Sequence, residues 1–188
     1  MQRRDLLRLL GAVAATPALA GLTPGQLLAL GRETHARLDA GSESGLAPAA
    51  EETIALLAEL ILPETDTPGA GTAGVPAFIY QMMAEWQTDA ERQGVLDGLD
   101  DLDHRSRKAG GAPFAGLPPE AQASLLQAID GTKGAAGTAE YAWSTIKDLA
   151  VYGYFTSEIV QTQVLRVQII PGRFDGCIPA HADPGAPG

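Results

Sequence analysis

Few residues in this chain are of the kinds that carry chemistry. The sequence holds three histidines, His35, His104 and His181, and one cysteine, Cys177. Zinc and haem sites draw on ligands that recur at short helical spacing. None of the histidines is followed by a second histidine or a cysteine three or four residues on, and His35 and His104 read as members of polar helix faces. No metal-ligating residue is therefore assigned. A lone cysteine closes no internal disulfide, completes no four-cysteine zinc site and holds no iron–sulfur cluster by itself. Cys177 also lacks an obvious histidine partner to make it a thiolate nucleophile. Neighbouring carboxylates such as Glu51–Glu52 and Asp100–Asp101 read as solvated helix faces, not as an acid/base dyad. No Gly-x-Gly-x-x-Gly follows an expected strand, and neither Gly-x-Ser-x-Gly nor a phosphate loop ending in Gly-Lys-Ser/Thr occurs. The residues point away from an enzyme: no catalytic and no cofactor-binding position is assigned.

Two segments are denser than a bare helical scaffold requires. Leu62 to Ala70, Leu-Pro-Glu-Thr-Asp-Thr-Pro-Gly-Ala, continues to Gly74-Val75-Pro76. It reads first as a rigid connection, in which Thr65, Asp66 and Thr67 bond local backbone and Pro68-Gly69 sets a turn. The second is Val167 to Pro179, VQIIPGRFDGCIP, which reads first as a tail packed on its own domain.

The elements that position these segments begin with a leader. Arg3 and Arg4 precede Asp5-Leu6-Leu7, an apolar stretch runs from Leu6 to Leu19, and Ala18-Leu19-Ala20 offers a cleavage site. A charged start, apolar middle and Ala-x-Ala end make an export signal. The paired arginines with Leu6 and Leu7 sharpen it to the twin-arginine type, an address that carries proteins already folded in the cytoplasm. Gly11, the alanines, Thr16 and Pro17 dilute the apolar stretch below what a spanning helix of roughly 20 residues needs. Residues 1–20 are thus expected to be a twin-arginine signal, and the protein to be periplasmic. The leader is net +2, so with −10 overall the remaining 168 residues stand at −12. Such an acidic surface repels nucleic-acid phosphates and anionic lipid.

Beyond the leader the pattern is helical, punctuated by proline and glycine. Thr23-Pro24 opens a helix to about Asp39, and residues 41–45 break it. A second helix starts near Pro48 and carries Ile54, Leu57 and Ile61 on one face, with Leu56 and Leu60 beside it. So wide an apolar surface predicts burial on most sides, and Pro63 stops it. Pro76 opens a third helix through Phe78, Ile79, Met82, Met83 and Trp86. Asp89 is the expected cap of the fourth, with Val95, Leu99 and Leu102 inward and Asp97, Asp101, Arg105 and Lys108 toward water. A fifth follows Leu117-Pro118-Pro119-Glu120 to about Asp130, and residues 131–137 read as loose. Trp143, Ile146, Ala150 and Gly153 mark a helix to about Tyr154, and Ser157 caps a last one to about Val164. The expectation is an all-α fold: one helical domain of six to seven helices with an irregular C-terminal tail. Its parts are the signal at 1–20, an N-terminal helix and linker at 21–47, the helical domain at 48–179 and a flexible tail at 180–188.

The leader, the stretch ETIALLAELILPETDTPGAGTAGVPAFI and the closing PGRFDGCIP together resemble the small subunit, or subunit 3, of gluconate 2-dehydrogenase. The likeness runs to about Pro179 and is strongest over residues 52–86 and 149–179. It implies a non-catalytic partner of an FAD-bearing dehydrogenase of the glucose–methanol–choline class. In such complexes the flavoprotein lacks its own export signal, the small subunit brings the address and helps it fold, and a cytochrome c subunit with haem c takes the electrons at the membrane. The likeness also implies roles: Thr65, Asp66, Thr67 and Pro68 as partner-binding residues, Cys177 as half of an intersubunit disulfide in an oxidising periplasm, Arg173 as a fork for a partner carboxylate, and Phe174 and Ile178 as apolar anchors. VYGYFTSEI and VQIIPGRFDGCIP resemble subunits that accompany glucoside 3-dehydrogenases. Two other readings of the residues stand beside this one: a free-standing exported helical protein that binds a small ligand between helices, and a minor enzyme using Asp66 or Cys177.

Overall fold

Proline and threonine decide where the helices of this protein begin. In the computed structural model, which describes residues 21–38 and 45–166, Pro24, Pro48 and Pro119 are the first residues of α1 (Pro24–Leu38), α2 (Pro48–Ile61) and α5 (Pro119–Ile129). Pro76 is the second residue of α3 (Val75–Glu85). Proline suits these positions because its missing N–H has no intrahelical partner there in any case. Thr88 and Thr138 precede α4 (Asp89–Gly110) and α6 (Ala139–Thr156). A 3-10 turn at Phe114–Gly116 and a π turn at Val160–Val164 complete the described chain, and no strand occurs among the described residues. The all-α expectation holds.

The cap of α4 is Thr88 and not Asp89. Thr88 Oγ1 accepts the Glu91 N–H at 3.2 Å and the Glu91 carboxylate accepts the Thr88 N–H at 2.9 Å, a reciprocal capping box. Asp89 sits one residue inside the helix, where its carboxylate pairs with Arg92 at 2.6 Å.

α6 forms the centre of the bundle, packing against each of α1 to α5. It carries Trp143, Ile146, Leu149, Ala150 and Tyr152 into the core. Close approach on two sides depends on glycine. A Cβ at Gly98 of α4 would lie 2.7 Å from Ala142 Cβ and closer still to the Thr138 carbonyl, and one at Gly153 would lie 2.6 Å from the Phe78 ring.

Other expectations give way to tertiary contacts. α2 is not buried on most sides: Thr53, Ile54, Leu57 and Ala58 face the core, Leu56 and Ile61 are half-buried, and Leu60 is 38 % exposed. The helix packs chiefly on α3 and α6, so the flank of its broad apolar surface is left outside. Trp86 ends α3 at 39 % exposure, off the core face. The end of the 131–137 stretch is held and not loose, because the Gly137 N–H donates to the Gly94 carbonyl at 3.0 Å and Ala136 approaches α4 where Gly94 lacks a side chain. Ser157 closes α6 and, as expected, stands directly before a last helical stretch that ends at Val164. Its N–H donates to the Gly153 and Tyr154 carbonyls, its hydroxyl donates to Tyr154 O at 2.8 Å, and its own carbonyl accepts the Gln161 N–H at 3.0 Å, so its backbone joins the two helical stretches.

His35 lies on no polar face. Its ring stacks on Phe78 with centroids 4.8 Å apart, and Nε2 is 2.9 Å from the Gly153 carbonyl. Asp101 and Arg105 do not simply point to water. Arg105 grips Glu140 through Nη1 at 2.6 Å and Nη2 at 3.1 Å and also meets Asp101 at 2.7 Å, while Asp101 accepts the Ala139 N–H at the start of α6. The pairing holds the Glu140 carboxyl below its usual range.

Candidate functional site

The segment between α2 and α3 is a shaped loop fastened by two glutamates and a tyrosine. α2 ends at Ile61, before Pro63, a residue that cannot continue a helical hydrogen-bond pattern. The chain then turns back on itself, with the Ala70 N–H donating to Leu62 O at 2.8 Å and the Thr65 N–H donating to Thr67 O at 3.1 Å. Gly74, at φ 70°, makes the left-handed step into α3.

Carboxylates take up several of the loop's donors. Glu59, in the last turn of α2, accepts the Glu64 N–H through Oε1 at 3.2 Å and the Gly71 N–H through Oε2 at 3.0 Å. Glu64 Oε2 accepts the Thr72 hydroxyl at 2.7 Å and the Gly69 N–H at 3.4 Å. From α6, the Tyr154 hydroxyl donates to the Pro68 carbonyl at 2.8 Å. Gly69 is packed so closely that a Cβ there would sit 2.7 Å from Glu64 N.

Residues 69–74 read Gly-Ala-Gly-Thr-Ala-Gly, the glycine spacing of a dinucleotide fingerprint. Such a fingerprint needs a strand before it and free N–H groups for a pyrophosphate. Here a helix precedes it, and the protein's own carboxylates occupy the Gly69 and Gly71 N–H groups. Gly69 serves close packing of the loop and Gly74 its left-handed step into α3.

The expected binding residues fall together at the outer end of this loop. Thr65 and Asp66 are exposed and Thr67 and Pro68 are half-buried. The Thr65 hydroxyl donates to Asp66 Oδ1 at 3.1 Å, and the Thr67 N–H reaches Thr65 Oγ1 at 3.4 Å. The local bonding expected of a rigid connection is therefore present, and the same bonding displays the Asp66 carboxylate outward. Arg3, Arg4, Leu6, Leu7, Arg173, Phe174, Cys177 and Ile178 lie outside the described residues. The sequence reading missed Glu59, Glu64 and Tyr154. A carboxylate on each side of a helix-ending proline, followed by a run of glycine N–H groups, was the available signal for the glutamates. Nothing local marks Tyr154, which is brought in from 86 residues away.

An apolar groove lies on another face, lined by Leu60, Ala123, Leu126, Gln127, Asp130 and Trp143, with a volume of about 210 Å³. Lys147 at 2.6 Å and the Trp143 indole N–H at 2.8 Å both engage Asp130 Oδ1 and hold that carboxyl below its usual range. The volume falls short of the ~300–1,000 Å³ of small-molecule pockets, and a flavin dinucleotide has no fit there. Among the described residues no group of three or more His, Cys, Asp or Glu side chains is placed to hold a metal ion, and no helix is long and apolar enough to cross a membrane.

The sequence model of one family, described as Gluconate 2-dehydrogenase subunit 3, matches residues 48–172, more than half of the chain. No curated protein and no solved structure matches it.

Proposed function

Because the chain belongs to the gluconate 2-dehydrogenase subunit 3 family, we propose that it is the non-catalytic small subunit of a periplasmic FAD-dependent sugar or sugar-acid dehydrogenase. In this reading it escorts the catalytic flavoprotein through maturation and twin-arginine export. The family match across residues 48–172 carries the proposal. The Arg3-Arg4 leader supports the escort role, since this route carries folded cargo and a partner can leave with the chain that bears the address. FAD belongs to the partner and haem c to a third, cytochrome c subunit, through which the complex is membrane-associated. The large subunit is of the gluconate 2-dehydrogenase or glucoside 3-dehydrogenase type.

The docking residues in this reading are the loop residues Thr65, Asp66, Thr67 and Pro68 and the tail residues Arg173, Phe174, Cys177 and Ile178. Cys177 bonds a cysteine of the flavoprotein in the oxidising periplasm. Affinity capture of the exported chain tests this. The captured material should carry a flavoprotein with a bound-FAD absorption spectrum, and a non-reducing gel should show a cross-linked band that Cys177→Ser abolishes. Recovery of the chain alone and monomeric would overturn the subunit reading. A flavoprotein recovered with no cross-linked band would remove the disulfide.

A further inference from the structure

We infer that Glu59 and Glu64 are the positioning residues of the docking loop, a role that rests on the reading of Thr65 to Pro68 as a partner contact. Neither carboxylate needs to touch the partner. Each fixes backbone that leads into or out of the exposed turn: Glu59 holds the Glu64 and Gly71 N–H groups, and Glu64 holds the Gly69 N–H and the Thr72 hydroxyl. The Thr65–Thr67 turn lies between these anchors. On the inner side Tyr154 ties Pro68 to α6. The loop thus spends its Gly69 and Gly71 donors on its own carboxylates and meets a partner with the Asp66 carboxylate and the Thr65 and Thr67 side chains already placed. A loop held in its bound shape loses less conformational entropy on docking, and that saving appears as affinity.

The two glutamates use their oxygens differently, and this makes the inference testable. Glu59 accepts through both oxygens, one bond each, whereas both bonds to Glu64 end on Oε2. A glutamine side chain keeps one carbonyl acceptor and replaces the other oxygen with a donor NH₂ group. Glu64→Gln can therefore retain both contacts, Glu59→Gln must lose one of them, and Glu64→Ala loses both of its own. Equal loss of negative charge gives unequal loss of geometry.

The experiment measures amide hydrogen exchange in the full exported chain, together with capture of the flavoprotein from co-expressing cells. Exchange at Glu64 or Gly71 in Glu59→Gln and at Gly69 in Glu64→Ala should speed up by about tenfold, the loss expected for a hydrogen bond to a charged acceptor. Glu64→Gln should exchange as the parent does, and core amides of α6 should be unchanged in all three variants. Capture should fall in Glu59→Gln and Glu64→Ala and persist in Glu64→Gln. Unchanged exchange in Glu59→Gln and Glu64→Ala would overturn the positioning role whatever the capture shows. Equal loss of capture in Glu64→Gln and Glu64→Ala would also overturn it, by making charge and not placement the cause. Faster exchange with full capture would leave the loop pinned by its glutamates but remove it from the partner contact, so the docking reading would fail separately.

Discussion

Carboxylates in this protein meet two contrasting environments, and each sets a different dependence on pH. Glu140 is gripped by Arg105, which keeps its carboxyl below the usual range. That stabilisation is present above the unfolded carboxylate range and fades as pH falls through the folded value. Asp148, half-buried on α6, shows the reverse: burial pushes its carboxyl up from 3.8 to about 6, only partly offset by Lys147. Between those values the folded chain binds more protons than the unfolded one, so Asp148 lowers stability as pH rises through about 6. Asp148→Asn should accordingly stabilise the protein at pH 8, by about 1–2 kcal/mol, and the difference should vanish below about pH 4. Denaturant midpoints of parent and variant at the two pH values check the sign. A variant equal to the parent at both would show that the folded carboxyl is not raised.

At the scale of elements, glycine sets how closely the helices approach. Gly98 allows α4 to meet the first turn of α6, where the Thr138 carbonyl and Ala142 leave no space for a Cβ. Gly98→Ala improves local helix propensity by up to about 1 kcal/mol, but the obstacle is backbone and cannot rotate away. The close contact should prevail, with a net destabilisation of about 1–3 kcal/mol in thermal or denaturant unfolding. A more stable Gly98→Ala variant would contradict the packing described. The starts of the helices were legible in the sequence because Pro24, Pro48, Pro76 and Pro119 act through local chemistry. Core positions such as Ile54, Leu57, Val95 and Ile146 were legible because periodicity reports which face is apolar. What periodicity does not report is the neighbour. The exposure of Leu60, the placing of His35 against Phe78 and the docking of Ala136 and Gly137 on α4 all depend on which element arrives opposite. The loop at Pro63–Gly74 could be read as a rigid connection, but its fastening to Tyr154 could not. The choice between Thr88 and Asp89 turned on a reciprocal bond with Glu91, which the sequence did contain as Thr-x-x-Glu.

On the scale of the whole molecule, the matched family region does not stand alone. α1 precedes residue 48, yet Leu27, Leu30 and Thr34 are buried and the Tyr152 hydroxyl donates to Leu27 O. Arg32 also reaches Gln161 at the π turn. The first described helix, α1, is thus part of the same core as the family helices. In the proposed role this joins the address to the folded body that the flavoprotein contacts. The acidic balance of the chain, −10 overall, is consistent with a protein partner and disfavours phosphate backbones. The central claim is that Arg3 and Arg4 export the flavoprotein as well as this chain. Its most direct test is co-expression with the leaderless flavoprotein, followed by FAD-dependent dehydrogenase activity in the periplasmic fraction, for the parent and for Arg3→Lys/Arg4→Lys. The account predicts that the lysine leader leaves both proteins, and the activity, in the cytoplasm. Flavoprotein activity in the periplasm at the parent level with the lysine leader would contradict it.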